Sequence, residues 1–273
     1  MNFDALSPLD GRYYSQLKTL RNCFSEYALT QNRIKVECMH ALLLDRTKVF
    51  SSLSDEEYTS LGNCYTKFNE DSFLEIKKLE SVTKHDVKAC ELFVRNYTKL
   101  SNPNIIHFGL TSEDVNNIAY ALCLKNYIRE TQIGIWNSII NKLAELATQW
   151  AATPMPARTH GQYASPTTLG KEIAVVLERL SRPLAALKTH NFRCKLNGAT
   201  GNYSAFMAAA PQVDWQQYEK NLLSALGLQH NPATTQIEDC DSIGEYLRIT
   251  AQWNRVLTDF CQDVWSYISY GYI

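Results

Sequence analysis

Three histidines stand where short polar stretches pass into helix-like sequence, and each has neighbours suited to acid–base or anion chemistry. In SVTKHDVKACELF, Thr83 and Asp86 have the spacing of a capping box, which puts His85 in a first helical turn. The positive end of the helix dipole disfavours imidazolium there, so a neutral His85 can donate or accept a hydrogen bond. In IIHFGLTSEDVNN the arrangement recurs: Thr111 and Asp114 can cap, Ser112 and Glu113 fill the first turn, and His107 lies just upstream. Free N–H groups and two hydroxyls make a cradle for a carboxylate or phosphate. In PARTHGQYASPTTLGKE, His160 sits among Thr159, Gly161 and Gln162, outside any apolar face or charge run, which suits a proton donor. Each pattern, taken singly, also serves as a plain helix start with a surface histidine.

Two further loops, NGATGNYS (197–204) and NPATTQIED (231–239), are rich in glycine, hydroxyls and amides and suit the lining of a polar cleft or ordinary turns. GATGN is a weak phosphate-loop signal, with no strand before it and no GK[ST] after it. The six histidines show neither HxxxH nor HExxH spacing, and no G-x-S-x-G occurs, which argues against a zinc site and a serine hydrolase. Acid–base work on a small anionic substrate remains, with no metal or other cofactor called for.

The elements that must position these groups read as mainly α. Apolar residues from Val115 to Trp150 recur at helical spacing over about ten turns, interrupted by Gly134, a length that suits a bundle. A second helix should start at Ser165–Pro166 and run past Pro183, which should kink it. Asp214 opens a shorter helix that ends near Gly227, and a last helix runs from about Asp241 to the end. Shorter helices are expected at about 15–45, 54–68 and 84–98, and no strand alternation is convincing. The expected organisation is a small N-terminal helical domain over 1–110 and part of a central helical bundle over 111–273.

With 27 Lys plus Arg against 28 Asp plus Glu, the chain has no general pull toward nucleic acid or an anionic membrane, so an anionic ligand must be held locally. No apolar run reaches the roughly 18 residues of a membrane span, and the start lacks the regions of a signal peptide, which points to the cytoplasm. The eight scattered cysteines form no CxxC pair and read as reduced core thiols. The closing SYISYGYI is apolar and aromatic, and suggests a fragment whose missing part covers that face.

SPLDGRY, KHDVKA, HFGLTSEDVNN, RTHGQ, NGATGNY and TTQIE, in that order, resemble the adenylosuccinate lyase family of the fumarase/aspartase superfamily, over residues 7 to about 270. The resemblance implies β-elimination of fumarate from adenylosuccinate, giving AMP, and from the succinylaminoimidazole carboxamide ribotide of purine synthesis, in a cytoplasmic homotetramer. It implies His160 as general acid on the leaving nitrogen and His85 as the histidine that holds substrate and orients the acid. It implies nucleotide contacts from Arg12 and Tyr13, binding by Lys84, His85 and Asp86, a grip on the succinyl part by Thr111 and Ser112, and contacts from Gln236 and His107. The family's base is a serine on a loop reading roughly GSSxMPxK(x)NP, and no such stretch occurs before Ile273. The expectation is an enzyme sequence that stops short of its base and has little activity alone; an argininosuccinate-type lyase and a non-catalytic helical scaffold are the alternatives.

Overall fold

A computed structural model describes residues 5–273, and the chain is mainly helical. In chain order the elements are α1 (Lys18–Phe24), α2 (Glu26–Leu44), α3 (Asp55–Thr66), α4 (Glu70–Thr83), α5 (Asp86–Thr98), α6 (Ser112–Tyr127) and α7 (Ile133–Gln149). There follow β1 (Pro154–Thr159), β2 (Gln162–Thr168), α8 (Leu169–Thr189), β3 (Arg193–Cys194), α9 (Ser204–Ala209), α10 (Trp215–Ala225), β4 (Gln229–His230) and α11 (Asp241–Ser269).

The chain divides into two compact units. One comprises the residues up to Tyr127 together with Asn191–Cys240, and the other comprises Ile128–His190 and Asp241–Ile273. The boundary expected at 110/111 therefore falls inside the first unit.

In the first unit α2 contacts α3, α5 and α6. Ser25 caps α2 by accepting the Ala28 N–H, and Ile34, Val36, Cys38, Ala41 and Leu44 are fully buried along it. Arg33, Glu37 and His40 are buried too, so this helix is enclosed on nearly all sides and its buried charges require partners. Ser54 and Glu57 form a reciprocal capping box on α3. α4 is an element the apolar pattern did not announce: its residues EDSFLEIKKLESVT bury only Ile76, so the stripe is too thin to read. β3 and β4 pair in parallel, Arg193 opposite Gln229 and Cys194 opposite His230.

In the second unit α8 packs between α7 and α11, and Trp136 stacks on Trp253 with ring centroids 4.0 Å apart. The single long helix expected over 115–150 is three pieces, since a π turn at Ile128–Gln132 separates α6 from α7. Two other expectations fail at 154–168. These residues form an antiparallel hairpin instead of strandless loop, and the helix begins at Leu169, capped by the Thr168 hydroxyl, rather than at Ser165–Pro166. Pro166 pairs across the hairpin with Pro156, and neither prolyl nitrogen has a hydrogen to give, which suits a two-stranded ribbon whose outer edges stay open.

All eight cysteines are free, six of them buried. Trp265, Ile268, Tyr270 and Ile273 near the chain's end are more than half exposed.

Candidate active site

At the junction of α4 and α5, Lys84 turns the backbone left-handed (φ 55°) and His85 becomes the N-cap of α5. The capping box expected from Thr83 and Asp86 is not the one used. Thr83 still belongs to α4, and its hydroxyl accepts the His85 N–H at 3.3 Å. The imidazole does the capping, with Nδ1 accepting the Lys88 N–H at 3.2 Å. A nitrogen that accepts carries no proton, so the ring is the tautomer with its hydrogen on Nε2. Nε2 lies 3.4 Å from the Ser112 hydroxyl, at the start of α6.

Asp86 accepts the Val87 N–H at 2.8 Å and pairs with Arg33 at 2.6 Å. Burial works against ionisation here, but the Val87 N–H and the guanidinium outweigh it and hold this carboxyl below its ordinary range. A cleft of about 400 Å³ opens alongside, lined by Glu26, Arg33, Glu80, Lys84, His85 and Asp86.

The α6 start is capped by half of the expected box: Asp114 accepts the Thr111 N–H at 2.9 Å. The Thr111 hydroxyl faces elsewhere and takes a long 3.4 Å contact from Gln236 Nε2. Asp114 is completely buried and also receives Asn197 N–H (3.2 Å), Gly198 N–H (3.2 Å) and the ammonium of the equally buried Lys195 (2.6 Å). Lys195 gives its other two protons to the carbonyls of Gly198 and Gln236, each at 3.0 Å. The NGATGN and TTQIE loops thus join one ion pair. They also touch directly: Gly201 (φ 72°) approaches so closely that a Cβ there would lie 2.1 Å from the Thr234 carbonyl oxygen.

On the other side of the NGATGN loop, buried Glu219 of α10 accepts the Leu196 N–H at 2.6 Å and the Tyr203 hydroxyl, while His230 Nε2 stands 3.4 Å from it. Burial pushes the Glu219 carboxyl up to about 7. His107, with a left-handed backbone (φ 61°), pairs through Nδ1 with fully buried Glu37 at 2.6 Å. Its burial disfavours the charged ring, but Glu37 prevails and the pKa lies above the ordinary value. His40 is a core histidine: Nε2 meets the Phe108 carbonyl at 3.0 Å and Nδ1 the Tyr218 hydroxyl at 2.7 Å, and burial pulls it down to about 3.

His85, Thr111, Ser112 and Gln236 therefore converge in the first unit, with Lys84 and Asp86 flanking His85. Arg12 and Tyr13 stack on each other (5.3 Å) at an exposed turn, and no hydrogen bond or ion pair joins them to this group among the described residues. His160 belongs to the second unit. It forms, with Gly161, the two-residue turn of the β1–β2 hairpin, and both have positive φ (52° and 75°), as a type I′ turn requires. The ring is exposed, with Nδ1 3.0 Å from the Thr159 hydroxyl; a hydroxyl that donates there leaves the hydrogen on Nε2. Arg158 braces the hairpin, donating to the Gly161 carbonyl (2.8 Å) and the Tyr272 hydroxyl (2.6 Å) and lying over the Tyr163 ring. Sequence reasoning missed Lys195, Glu219, Glu37 and Arg33. Lys195 was signalled only by standing two residues before the glycine-rich loop.

Residues 11–273 match a family model described as "Lyase", and the chain belongs to that family. Its similarity is to proteins named adenylosuccinate lyase. The one from Buchnera aphidicola subsp. Baizongia pistaciae is 40% identical over 98% of this chain, and that of Escherichia coli K12 is 39% identical over 97%, each alignment spanning 60% of the relative. The Dictyostelium discoideum protein of the same name is 37% identical over 99% of this chain and 61% of its own. The chain thus spans about three-fifths of the length of these relatives. The crystal structure of a fumarate lyase from Mesorhizobium sp. BNC1 superimposes with a TM-score of 0.77 at 19% identity, covering 91% of this chain and 57% of that one, which shows a shared fold. No helix among the described residues is long and apolar enough to cross a membrane.

Proposed function

We propose that the chain carries the general acid and much of the substrate grip of an adenylosuccinate lyase. The reaction is β-elimination of fumarate from adenylosuccinate, giving AMP, and from succinylaminoimidazole carboxamide ribotide, giving the aminoimidazole carboxamide ribotide. The observation that carries this reading is the convergence of His85 Nε2, Ser112 Oγ and Thr111 Oγ1 at two helix starts with Gln236 Nε2 from the 231–239 loop, within motifs quoted above for that family.

Removing a proton beside a carboxylate gathers negative charge on that carboxylate, and donors aimed beforehand at the charge stabilise it most. In this reading Thr111 and Ser112 offer hydroxyls, and the open start of α6 adds N–H groups and dipole to a succinyl carboxylate. His85, with hydrogen on Nε2, donates to substrate while its other nitrogen is tied to α5. Arg12 and Tyr13 contact the nucleotide, Lys84 and Asp86 flank His85 in the same binding segment, and Gln236 makes a further substrate contact, with His107 as a neighbour. His160 protonates the departing nitrogen; a positioned acid of this kind typically contributes about 10²–10⁴-fold. The base is the serine of a loop not found among these 273 residues, so fumarate release by the chain alone is expected to be slight. The working form in this reading is a cytoplasmic homotetramer without cofactor.

Calorimetric titration with adenylosuccinate, AMP and argininosuccinate tests the assignment. Saturable binding of the two purine ligands and none of argininosuccinate supports it; the reverse preference would assign the site to an argininosuccinate-type lyase.

A further inference from the structure

We infer that Lys195 is the positioning residue of this site, setting Gln236 and Thr111 relative to each other although it touches neither side chain's polar end. The inference rests on the functional reading above for its consequence in binding, and on geometry alone for the positioning itself.

A lysine ammonium has three protons to give. Here all three are placed: 2.6 Å to Asp114 Oδ1, 3.0 Å to the Gly198 carbonyl and 3.0 Å to the Gln236 carbonyl. Asp114 relays the constraint, because its second oxygen holds the Thr111 N–H at 2.9 Å. One buried cation therefore fixes the backbone of Gln236 directly and that of Thr111 through one intermediary. With both backbones held, their side chains meet at 3.4 Å, and Asn197 adds a tie to the same loop through the Thr234 hydroxyl at 2.8 Å.

The surroundings make the arrangement selective for lysine. Both partners of the pair are completely buried, so neither charge has water to fall back on. The carbonyls of Gly198 and Gln236 face the ammonium from different loops, and a planar guanidinium lacks the tripod of donors that reaches both while meeting one carboxylate oxygen. Asn117 fixes the backbone of Lys195, its side chain accepting the Lys195 N–H and donating to the Lys195 carbonyl, each at 3.0 Å.

Loss of a buried charge also costs stability, so the test must separate placement from folding. Lys195→Met strands the Asp114 charge and should lower Tm by roughly 10 °C. Adding Asp114→Asn removes the stranded charge and keeps one oxygen for the Thr111 N–H. The double variant should regain at least half of the lost Tm.

With the fold restored, the 234–237 segment should still be released. Its backbone NMR order parameters should fall from about 0.85 to below about 0.6, and adenylosuccinate should bind at least tenfold more weakly than to the parent. Order parameters that stay at the parent's values in the double variant overturn the inference and leave Lys195 with a purely structural role. If the parent fails to bind adenylosuccinate, the functional reading falls, while the order parameters still decide the positioning. Should the double variant fail to regain stability, Lys195→Arg gives the same readout, because it keeps the charge and loses the tripod. Rigid 234–237 in that variant would equally refute the inference.

Discussion

His85 Nε2 and Ser112 Oγ stand 3.4 Å apart across the starts of two helices, and His85 reaches that position because its other nitrogen caps α5. One side chain thus does a structural and a chemical task, and substitution separates them. Asparagine is a good N-cap, so His85→Asn should melt within a few degrees of the parent, whereas His85→Ala should lose about 1 kcal/mol of stability. Both should lose adenylosuccinate affinity alike. Thermal melting together with ligand titration checks this; affinity that tracks stability instead would assign His85 to capping only.

Glu219 makes a prediction about pH. Its carboxyl is raised from 4.5 to about 7 in the folded chain by burial. The folded state therefore holds a proton that the unfolded state has released, and stability contributed by that proton falls as pH rises from about 4.5 through about 7. Over that span the loss is roughly 3 kcal/mol. Glu219→Gln, which cannot ionise, should show a flatter dependence of unfolding free energy on pH between 5 and 8. Parallel curves for parent and variant would contradict it.

The His107–Glu37 pair has the opposite origin, since a carboxylate raises the pKa of the imidazole. Its contribution is full below the unfolded histidine value and is lost as pH rises through the higher folded value. In an NMR titration His107 should therefore have its midpoint above 6.5, and Glu37→Gln should bring it down. The same substitution should cost about 3 kcal/mol at pH 6, because it breaks a pair whose acid is fully buried.

At the hairpin tip, His160 and Gly161 both occupy left-handed backbone. Asn-Gly is the favoured pair for such a turn, so His160→Asn should unfold at or above the parent's temperature. Gly161→Val should lose about 1–3 kcal/mol, as a β-branched residue forced to positive φ. A His160→Asn variant that melts well below the parent would show that the imidazole is structural.

Residues 84–86 and 111–114 show how far the sequence carried the site. The polar pattern located both helix starts, yet placed His85 in a first turn when it is the cap, because Thr83 completes α4 and that helix buries too little to be seen. Asp214, Gly227 and the start of α11 were legible from capping chemistry and apolar spacing that act within a few residues. The hairpin was not. Its strands carry prolines at 154, 156 and 166, and its turn is His-Gly where Asn-Gly is the usual sign. The Lys195–Asp114 pair was out of reach for a different reason: its members lie 81 residues apart, and only the folded chain brings them to 2.6 Å.

In the proposed function the α5 and α6 starts grip the substrate of an adenylosuccinate lyase. The most direct test is calorimetric titration of adenylosuccinate into the parent chain and into Ser112→Ala and His85→Asn. Saturable binding by the parent, weakened at least tenfold in each variant at a melting temperature within a few degrees of the parent's, is the predicted result. Equal binding by all three chains, or none by the parent, would contradict it.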